Sequence, residues 1–366
     1  MRILLLSAYD ADSHRYWRQG LVANFPEHSW TVLTLPARYF SWRVRGNSLT
    51  WAFGDDADKL NQPYDLVIAT SMTDLSSLRG FAPRLAQTPT LLYFHENQFA
   101  YPLSGKEHNS VEPQILNLYS ALAADQILFN TEFNRKTFLE GARALLKKLP
   151  DHIPNGLVER LTARSSVLPV PLDASCYRPH QCKPDSNLQV VWNHRWEFDK
   201  GPHLLYQAIE QSVIKELDIT FHIVGQQFRN TPAEFKKIAS DFGPHLGAFG
   251  YVESIDEYRT LLTQADVVLS TALHDYQGVA VLEAVAAGAI PLVPNRLAYP
   301  YLFDEPFRYA SSENETAALV DKLAVYSQLK AQKNLPPAPN VTSLSWSQQK
   351  PHYEKAMEMT LQAFQH

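Results

Sequence analysis

Cysteine is almost absent from this chain: Cys176 and Cys182 are the only two in 366 residues. Their spacing fits neither a zinc pair nor a disulfide framework, so both read as reduced thiols of a cytosolic protein. Long apolar runs are missing too. No stretch approaches the roughly 20 residues that cross a bilayer, and no stable membrane association is expected. The opening Met-Arg-Ile-Leu-Leu-Leu-Ser is too short for a secretory signal. It reads instead as a first β-strand. There is no internal repeat and no low-complexity tract, and no metal is expected. Positive charge is not in excess either: 33 Lys and Arg stand against 38 Asp and Glu, a net −5, and the acidic surplus falls after residue 175. Such a chain cannot draw nucleic acid by its overall field and would need a local patch. Arg38, Arg43, Arg45, Arg135, Lys136, Arg143, Lys147 and Lys148 would supply one if they share a face.

The chain is long enough for two cores, and 45% apolar with 19% charged residues is ordinary globular composition. Apolar β-branched runs alternate with helical spacing, which argues α/β architecture with parallel sheets. A first set of strands is expected near residues 2–7, 30–35, 64–70, 89–94, 126–130 and 165–170, with helices near 14–25, 109–122 and 132–147. A second set is expected near 188–194, 219–224, 246–250, 266–271, 289–293 and 307–310, with helices near 202–214, 231–242, 254–264, 278–287 and 315–330. This gives domains at 1–172 and 185–345, a hinge over 169–184, a Pro-rich connector at 334–340 and a final helix over 346–366.

The segment 275–288 carries the strongest chemical signal: Asp275, Gly278 three places on, and Glu283 eight places on. It follows the apolar run 265–272, so it sits where a buried parallel strand ends and a helix begins. Gly278 lets a ligand approach the backbone, and the N–H groups near Gln277, Gly278 and Val279 favour a phosphate there. Two carboxylates beside an anion site do not bind the anion, which leaves hydroxyls of a sugar and a ribose as their partners. The plainer alternative makes Asp275 an N-terminal cap and Glu283 a solvated helix acid.

A second strand, 190–194, ends in a loop with Arg195 and Lys200 and then a helix from Gly201. Ligands of open α/β sheets bind at the carboxyl ends of strands, so these cations are placed to meet a diphosphate. Their alternative is an exposed loop salt bridge worth about 0–1 kcal/mol. His95 likewise follows a strand and is a candidate for contact with a donor sugar near its reacting carbon, or is a structural hydrogen-bonder. Between residues 33 and 45, Arg38, Arg43 and Arg45 interleave with Tyr39, Phe40 and Trp42. Cations and exposed rings suit an unpaired base held by stacking and phosphate contacts. Equally, the segment is a loop whose rings pack on its own domain.

Arg195, Lys200-Gly201, Asp275-x-x-Gly278 and Glu283 together resemble the donor half of family 4 of the retaining glycosyltransferases. The whole chain resembles one group of their relatives more specifically, the tRNA-queuosine α-mannosyltransferases. That resemblance rests on Ser13-His14 with Trp17 and Gly20-Leu21, the Thr34-Leu-Pro-Ala segment with Trp42-Arg43 and Arg45, and 93–98 with Tyr101-Pro102. It continues through Phe129-Asn130, Phe133-Asn134, the 149–152 segment, Asn193-His194-Arg195, Lys200-Gly201-Pro202 and Gly278 to Val285. Two departures stand out: Asp275 replaces the usual Glu, and Asp10-Ala-Asp12 replaces glycines before Ser13. Acids there would repel a diphosphate, so either the first loop faces the acceptor or its backbone contacts are lost.

The resemblance implies a GT-B type fold, two doubly wound Rossmann-like domains facing a cleft, with a C-terminal helix crossing back to the first. It implies transfer of mannose from GDP-mannose to queuosine in a tRNA anticodon, retaining and metal-independent. Arg195 and Lys200 would hold the diphosphate, Glu283 the ribose and Asp275 the transferred sugar, with His95 beside it. Ser13, His14, Arg38, Trp42, Arg43, Arg45 and Asn97 would face the acceptor. Two other functions remain open: a cytosolic enzyme of the same fold acting on a glycan or lipid precursor, and a non-catalytic nucleotide-sugar or tRNA-binding protein.

Overall fold

The computed structural model describes residues 1–100, 110–149, 152–181 and 186–364. Tyr101, Pro102, Pro150, Asp151, Cys182 and Pro184 of the sequence reading lie outside the described residues. The chain divides into two compact units, Met1–Pro171 with Trp346–His366, and Leu172–Ser345.

In the first unit six apolar runs form a wholly parallel sheet: β1 (Arg2–Ser7), β2 (Ser29–Thr34), β3 (Leu66–Thr70), β4 (Thr90–Phe94), β5 (Gln126–Phe129) and β6 (Ser165–Val167). Their order is β2-β1-β3-β4-β5-β6. β3 and β4 are buried along their full length, as strands covered on both faces must be. Leu4, Leu6, Val67, Leu92 and Phe129 share one core with Trp51, Leu75, Leu116 and Phe138 from the helices. Helices Asp12–Asn24, Glu112–Ala123 and Glu132–Lys148 stand where periodicity predicts. Phe40–Phe53 is a correction: the sequence reading gave no helix there. Its buried residues include Arg43, Asn47 and Ser48 beside Val44 and Trp51, so it has no apolar stripe to read. Helices Leu75–Phe81 and Leu157–Ala163 were also unread, being only seven residues each.

The second unit repeats the plan with β7 (Leu188–Trp192), β8 (Ile219–Val224), β9 (Leu246–Gly250), β10 (Val267–Leu269), β11 (Ile290–Pro294) and β12 (Arg308–Tyr309). The order is β12-β11-β10-β7-β8-β9. Its helices, Pro202–Ile214, Ala233–Asp241, Ile255–Gln264, Val279–Ala286 and Glu315–Ala331, follow the periodicity closely. The chain runs outward from β7 to β9, then returns to lay β10 on the other side of β7. That reversal makes the β7/β10 boundary a topological switch point, where helices diverge and a crevice opens at the strand ends.

The last helix, Trp346–Phe364, belongs to the first unit. Trp17 Nε1 donates to the Tyr353 hydroxyl at 2.9 Å, and that hydroxyl donates to the Pro169 carbonyl at 3.0 Å. The Trp346 indole lies over Gly20, where an added methyl would come within 2.6 Å of Nε1. Gly20→Ala is therefore expected to force the two helices apart and cost about 1–3 kcal/mol. Thermal unfolding of the full chain measures this, and an unchanged midpoint would show that the contact yields freely.

Candidate active site

The loops after β7 and β10 are sewn together by backbone. The Asp199 carbonyl accepts the N–H groups of Leu273 (2.9 Å) and His274 (3.0 Å), and Thr271 Oγ1 donates to the Lys200 carbonyl (2.8 Å). This brings Lys200, on one loop, to Asp275, on the other. Lys200 Nζ donates to the His274 carbonyl at 2.7 Å and lies 3.6 Å from Asp275 Oδ2 and 3.4 Å from Asp199 Oδ2. Asp275 is also a turn-former: Oδ1 accepts the Gly278 N–H at 2.8 Å, and the Tyr299 hydroxyl reaches Oδ2 at 3.3 Å. Burial pushes the Asp275 carboxyl up, but Lys200, His194 and the Gly278 N–H outweigh it and hold it below the usual range. It is an anion under ordinary conditions. Gly278 has φ 71°, a left-handed conformation that a side chain resists, and it opens the Val279–Ala286 helix.

Arg195 sits at the lip of this crevice, half-exposed, with Nη2 3.1 Å from Glu197 and 3.9 Å from Asp199. Its neighbour Glu197 is pushed up by burial. Glu283, one helix turn and more beyond Gly278, is half-buried with its carboxyl turned inward. Oε2 accepts the Tyr258 hydroxyl at 3.2 Å, and the buried thiol of Cys176 lies 4.0 Å from Oε1. Burial raises its pKa to about 7, with the Tyr258 hydrogen bond and Arg259 opposing. Asn193 Nδ2 donates to the Tyr258 hydroxyl (3.0 Å) and to the Ala280 carbonyl (2.7 Å). His194 is buried, and burial followed by Lys200 lowers its pKa to about 4. Gln277 is buried at the helix start.

Sequence reasoning gave no roles to Tyr258, Tyr299, Asn193 and His194. The two tyrosines come from segments with no motif of their own. Asn193 and His194 adjoin Arg195, and that adjacency was the one available signal.

In the first unit, β4 delivers His95 into an aromatic stack. Its ring lies 4.2 Å from His14 and 4.8 Å from Tyr93, with the edge of Trp17 at 5.0 Å. Burial, then His14, holds His95 well below its usual pKa, so it is neutral. His14 Nε2 meets Glu96 Oε2 at 2.9 Å. The loop is clamped from two helices. Asn97 Nδ2 donates to Asn134 Oδ1 (2.9 Å) and Thr137 (2.9 Å), Asn130 Nδ2 donates to the His95 carbonyl (2.8 Å), and Asn117 Oδ1 accepts the Gln98 N–H (2.9 Å). Asn97 is fully buried in this network, where its work is to hold the loop.

The remaining acceptor candidates fall on two helices and the turn before one of them. Ser13 is exposed on the first turn of its helix. Arg45 is drawn to Asp74 (3.0 Å) and Glu112 (3.1 Å). Arg38, Trp42 and Arg43 lie at the start of the Phe40–Phe53 helix. Arg135, Lys136 and Arg143 belong to the Glu132–Lys148 helix on the β5 and β6 side and face Glu132, Glu140 and Glu159. The suggested basic patch is thus divided and partly neutralised. The acids before Ser13 are also answered: Arg18 grips Asp10 with two bonds of 2.8 and 2.7 Å, and despite burial the carboxyl stays below its usual range. Among the described residues no group of three or more His, Cys, Asp or Glu could hold a metal ion, and no helix is long and apolar enough to cross a membrane.

Residues 2–172 match the family model described as tRNA-queuosine alpha-mannosyltransferase N-terminal, and residues 177–334 match Glycosyl transferases group 1. A tRNA-queuosine alpha-mannosyltransferase of Drosophila melanogaster is 32% identical over 330 residues, 88% of this chain and 85% of that one. This chain belongs to the tRNA-queuosine α-mannosyltransferase family. It is a glycosyltransferase, and its structural neighbours are of GT-B type. Anabaena Alr3699/HepE, solved with UDP, superposes with a TM-score of 0.61 at 15% identity, covering 100% of this chain and 97% of that one. TarM matches with a TM-score of 0.53 at 15% identity over 88% of this chain, which spans 55% of TarM. At such identities these structures establish the fold alone.

The raised pKa of Glu283 has a stability consequence. The folded state keeps this proton while the unfolded chain releases it, so the stability it confers is present below about 4.5 and is lost as pH rises through about 7. Glu283→Gln is expected to leave stability unchanged near pH 5 and to raise it by about 1–2 kcal/mol at pH 8, after allowance for partial exposure. Denaturant titrations at the two pH values check this, and equal gains at both would refute the linkage.

Proposed function

We propose that this chain transfers mannose from GDP-mannose to queuosine in tRNA, with retention at the sugar carbon and without a metal. The observation that carries the reading is the 32% identity, over most of both chains, to a Drosophila protein named for that acceptor and sugar. The donor assignment is supported by Lys200, Asp275 and the start of the Val279–Ala286 helix converging at one switch point. An acceptor on tRNA sets the work in the cytoplasm.

In the proposed reaction the bond from the sugar C1 to the diphosphate oxygen breaks. A bond from C1 to the acceptor hydroxyl oxygen forms on the same face, and the departing phosphate oxygen takes the acceptor's proton. Charge grows on the diphosphate as C1 becomes oxocarbenium-like. Arg195, Lys200 and the N–H groups at the start of the Val279–Ala286 helix would take up that charge. Asp275, kept anionic by Lys200, would accept from a hydroxyl of the transferred sugar. Glu283 would accept from the ribose, most strongly above about pH 7, where it is ionised. His95, neutral and with its buried Nε2 unpartnered among the described residues, would meet the sugar near C1. Ser13, His14, Arg38, Trp42 and Arg43 would serve the acceptor.

Transfer of radiolabel from GDP-mannose to tRNA bearing queuosine, against matched tRNA without it, tests the whole reading. Label is expected on the first alone, and none on either overturns it. Lys200→Ala and Arg195→Ala should each lower kcat/KM by about 100-fold or more. No glycosyl-enzyme adduct should appear by mass spectrometry, since neither carboxylate acts as a nucleophile.

A further inference from the structure

Arg43 is a recessed cation with no carboxylate beside it among the described residues. It is 8% exposed, and its Nε is buried without a hydrogen-bond partner. Among the described residues no carboxylate lies within ion-pair distance of it, although Arg45, two residues on, has both Asp74 and Glu112. Burial depresses its pKa, and the like charge of Arg38 adds to that, with only Tyr9 acting in the other direction. A cation partly withdrawn from water with no carboxylate beside it costs stability, and a ligand that supplies the counter-charge at its terminal nitrogens offsets that cost.

The surroundings say which anion. Tyr39, 74% exposed, is held in the left-handed region at φ 54° just before the Phe40–Phe53 helix, and the Arg38 guanidinium lies 5.6 Å over its ring. Trp42 is 57% exposed, its indole laid along the helix over Gly46, whose missing Cβ makes room for it. Phe40 completes the group, its ring 5.8 Å from Tyr9 and edge-on. Rings held open to water beside a recessed cation suit an unpaired base on either side of a phosphate. A donor diphosphate has no use for exposed rings, and it has Arg195 and Lys200 in the other unit. An anionic bilayer would engage projecting cations, not a recessed one.

We propose that the Arg38–Arg43 turn binds a phosphodiester of an unpaired RNA strand, with Arg43 as the buried anchor and Tyr39 and Trp42 as stacking faces for the adjoining bases. This rests on the RNA acceptor of the proposed function and names the contact that holds it.

The test uses the full chain, Arg43→Gln, Arg43→Lys and Trp42→Ala. Binding of a queuosine-bearing anticodon stem-loop is followed by fluorescence anisotropy across a salt series, with GDP binding by calorimetry as a control. For Arg43→Gln the RNA Kd should weaken about 10- to 100-fold and the slope of log Kd against log salt should fall by about 1. Arg43→Lys should recover part of the affinity and the full slope. Trp42→Ala should weaken binding without changing the slope, because it removes stacking and no charge. GDP affinity should not move. The free Arg43→Gln protein should be as stable as the parent or more so, since a cation without a partner is removed. That result distinguishes an anchor from a structural arginine.

Unchanged RNA affinity in Arg43→Gln overturns the proposal, as does a loss of RNA binding that tracks a fall in melting temperature. Arg43-dependent capture of phosphatidylserine vesicles in place of RNA also overturns it. Arg43-dependent RNA binding in a protein that transfers no mannose would sustain this inference while the proposed reaction fails.

Discussion

Lys200 meets Asp275 only because two loops, about 75 residues apart in the chain, share one carbonyl. The Asp199 oxygen takes the N–H groups of Leu273 and His274, and the rest of the candidate donor site hangs from that junction. It fixes where the β10 loop turns, so that Asp275 can close onto the Gly278 N–H and open the following helix. Lys200 then lies beside the Asp275 carboxylate, inside a crevice where desolvation pushes that acid up. Lys200 keeps that carboxylate ionised.

The two carboxylates of the motif are tuned in opposite senses by what surrounds them. Asp275 has a cation and a backbone N–H and stays below its usual range. Glu283 has a phenol, a thiol and apolar walls, and rises to about 7. A carboxylate held in a crevice with a pKa pushed this far up is a candidate functional group. The first unit shows the same economy in neutral form. Asparagines from two helices hold the loop carrying His95, while the imidazole itself is kept uncharged in a stack with His14 and Tyr93.

Much of this was legible in the residues. The alternation of apolar strands and periodic helices in the second unit translated almost directly into β7 to β12, because strands covered on both faces must be continuously apolar. The Asp275, Gly278 and Glu283 spacing fell at a strand end and a helix start as expected. Other parts were not legible. The Phe40–Phe53 helix buries Arg43, Asn47 and Ser48 among its apolar residues, so no period marks it. Asn97 looked like an acceptor contact and is a loop clamp, since hydrogen-bond partners 37 and 40 positions away are invisible to a local motif. The eight cations of a suggested basic patch proved to fall in two separate segments, several beside acids of their own.

The sequence by itself determined the α/β class, the two parallel sheets and the placing of Arg195, Lys200, Asp275 and Gly278 at strand ends and helix starts. Those follow from local periodicity. Only the tertiary structure decided which charges are spent and which are free. Arg45 and Arg43 stand two residues apart in one motif, yet one is bound by two acids and the other has none among the described residues. The reason is physical: charge pairing depends on distances of a few ångströms between segments far apart in the chain, and those distances exist only once the sheets have set the loops.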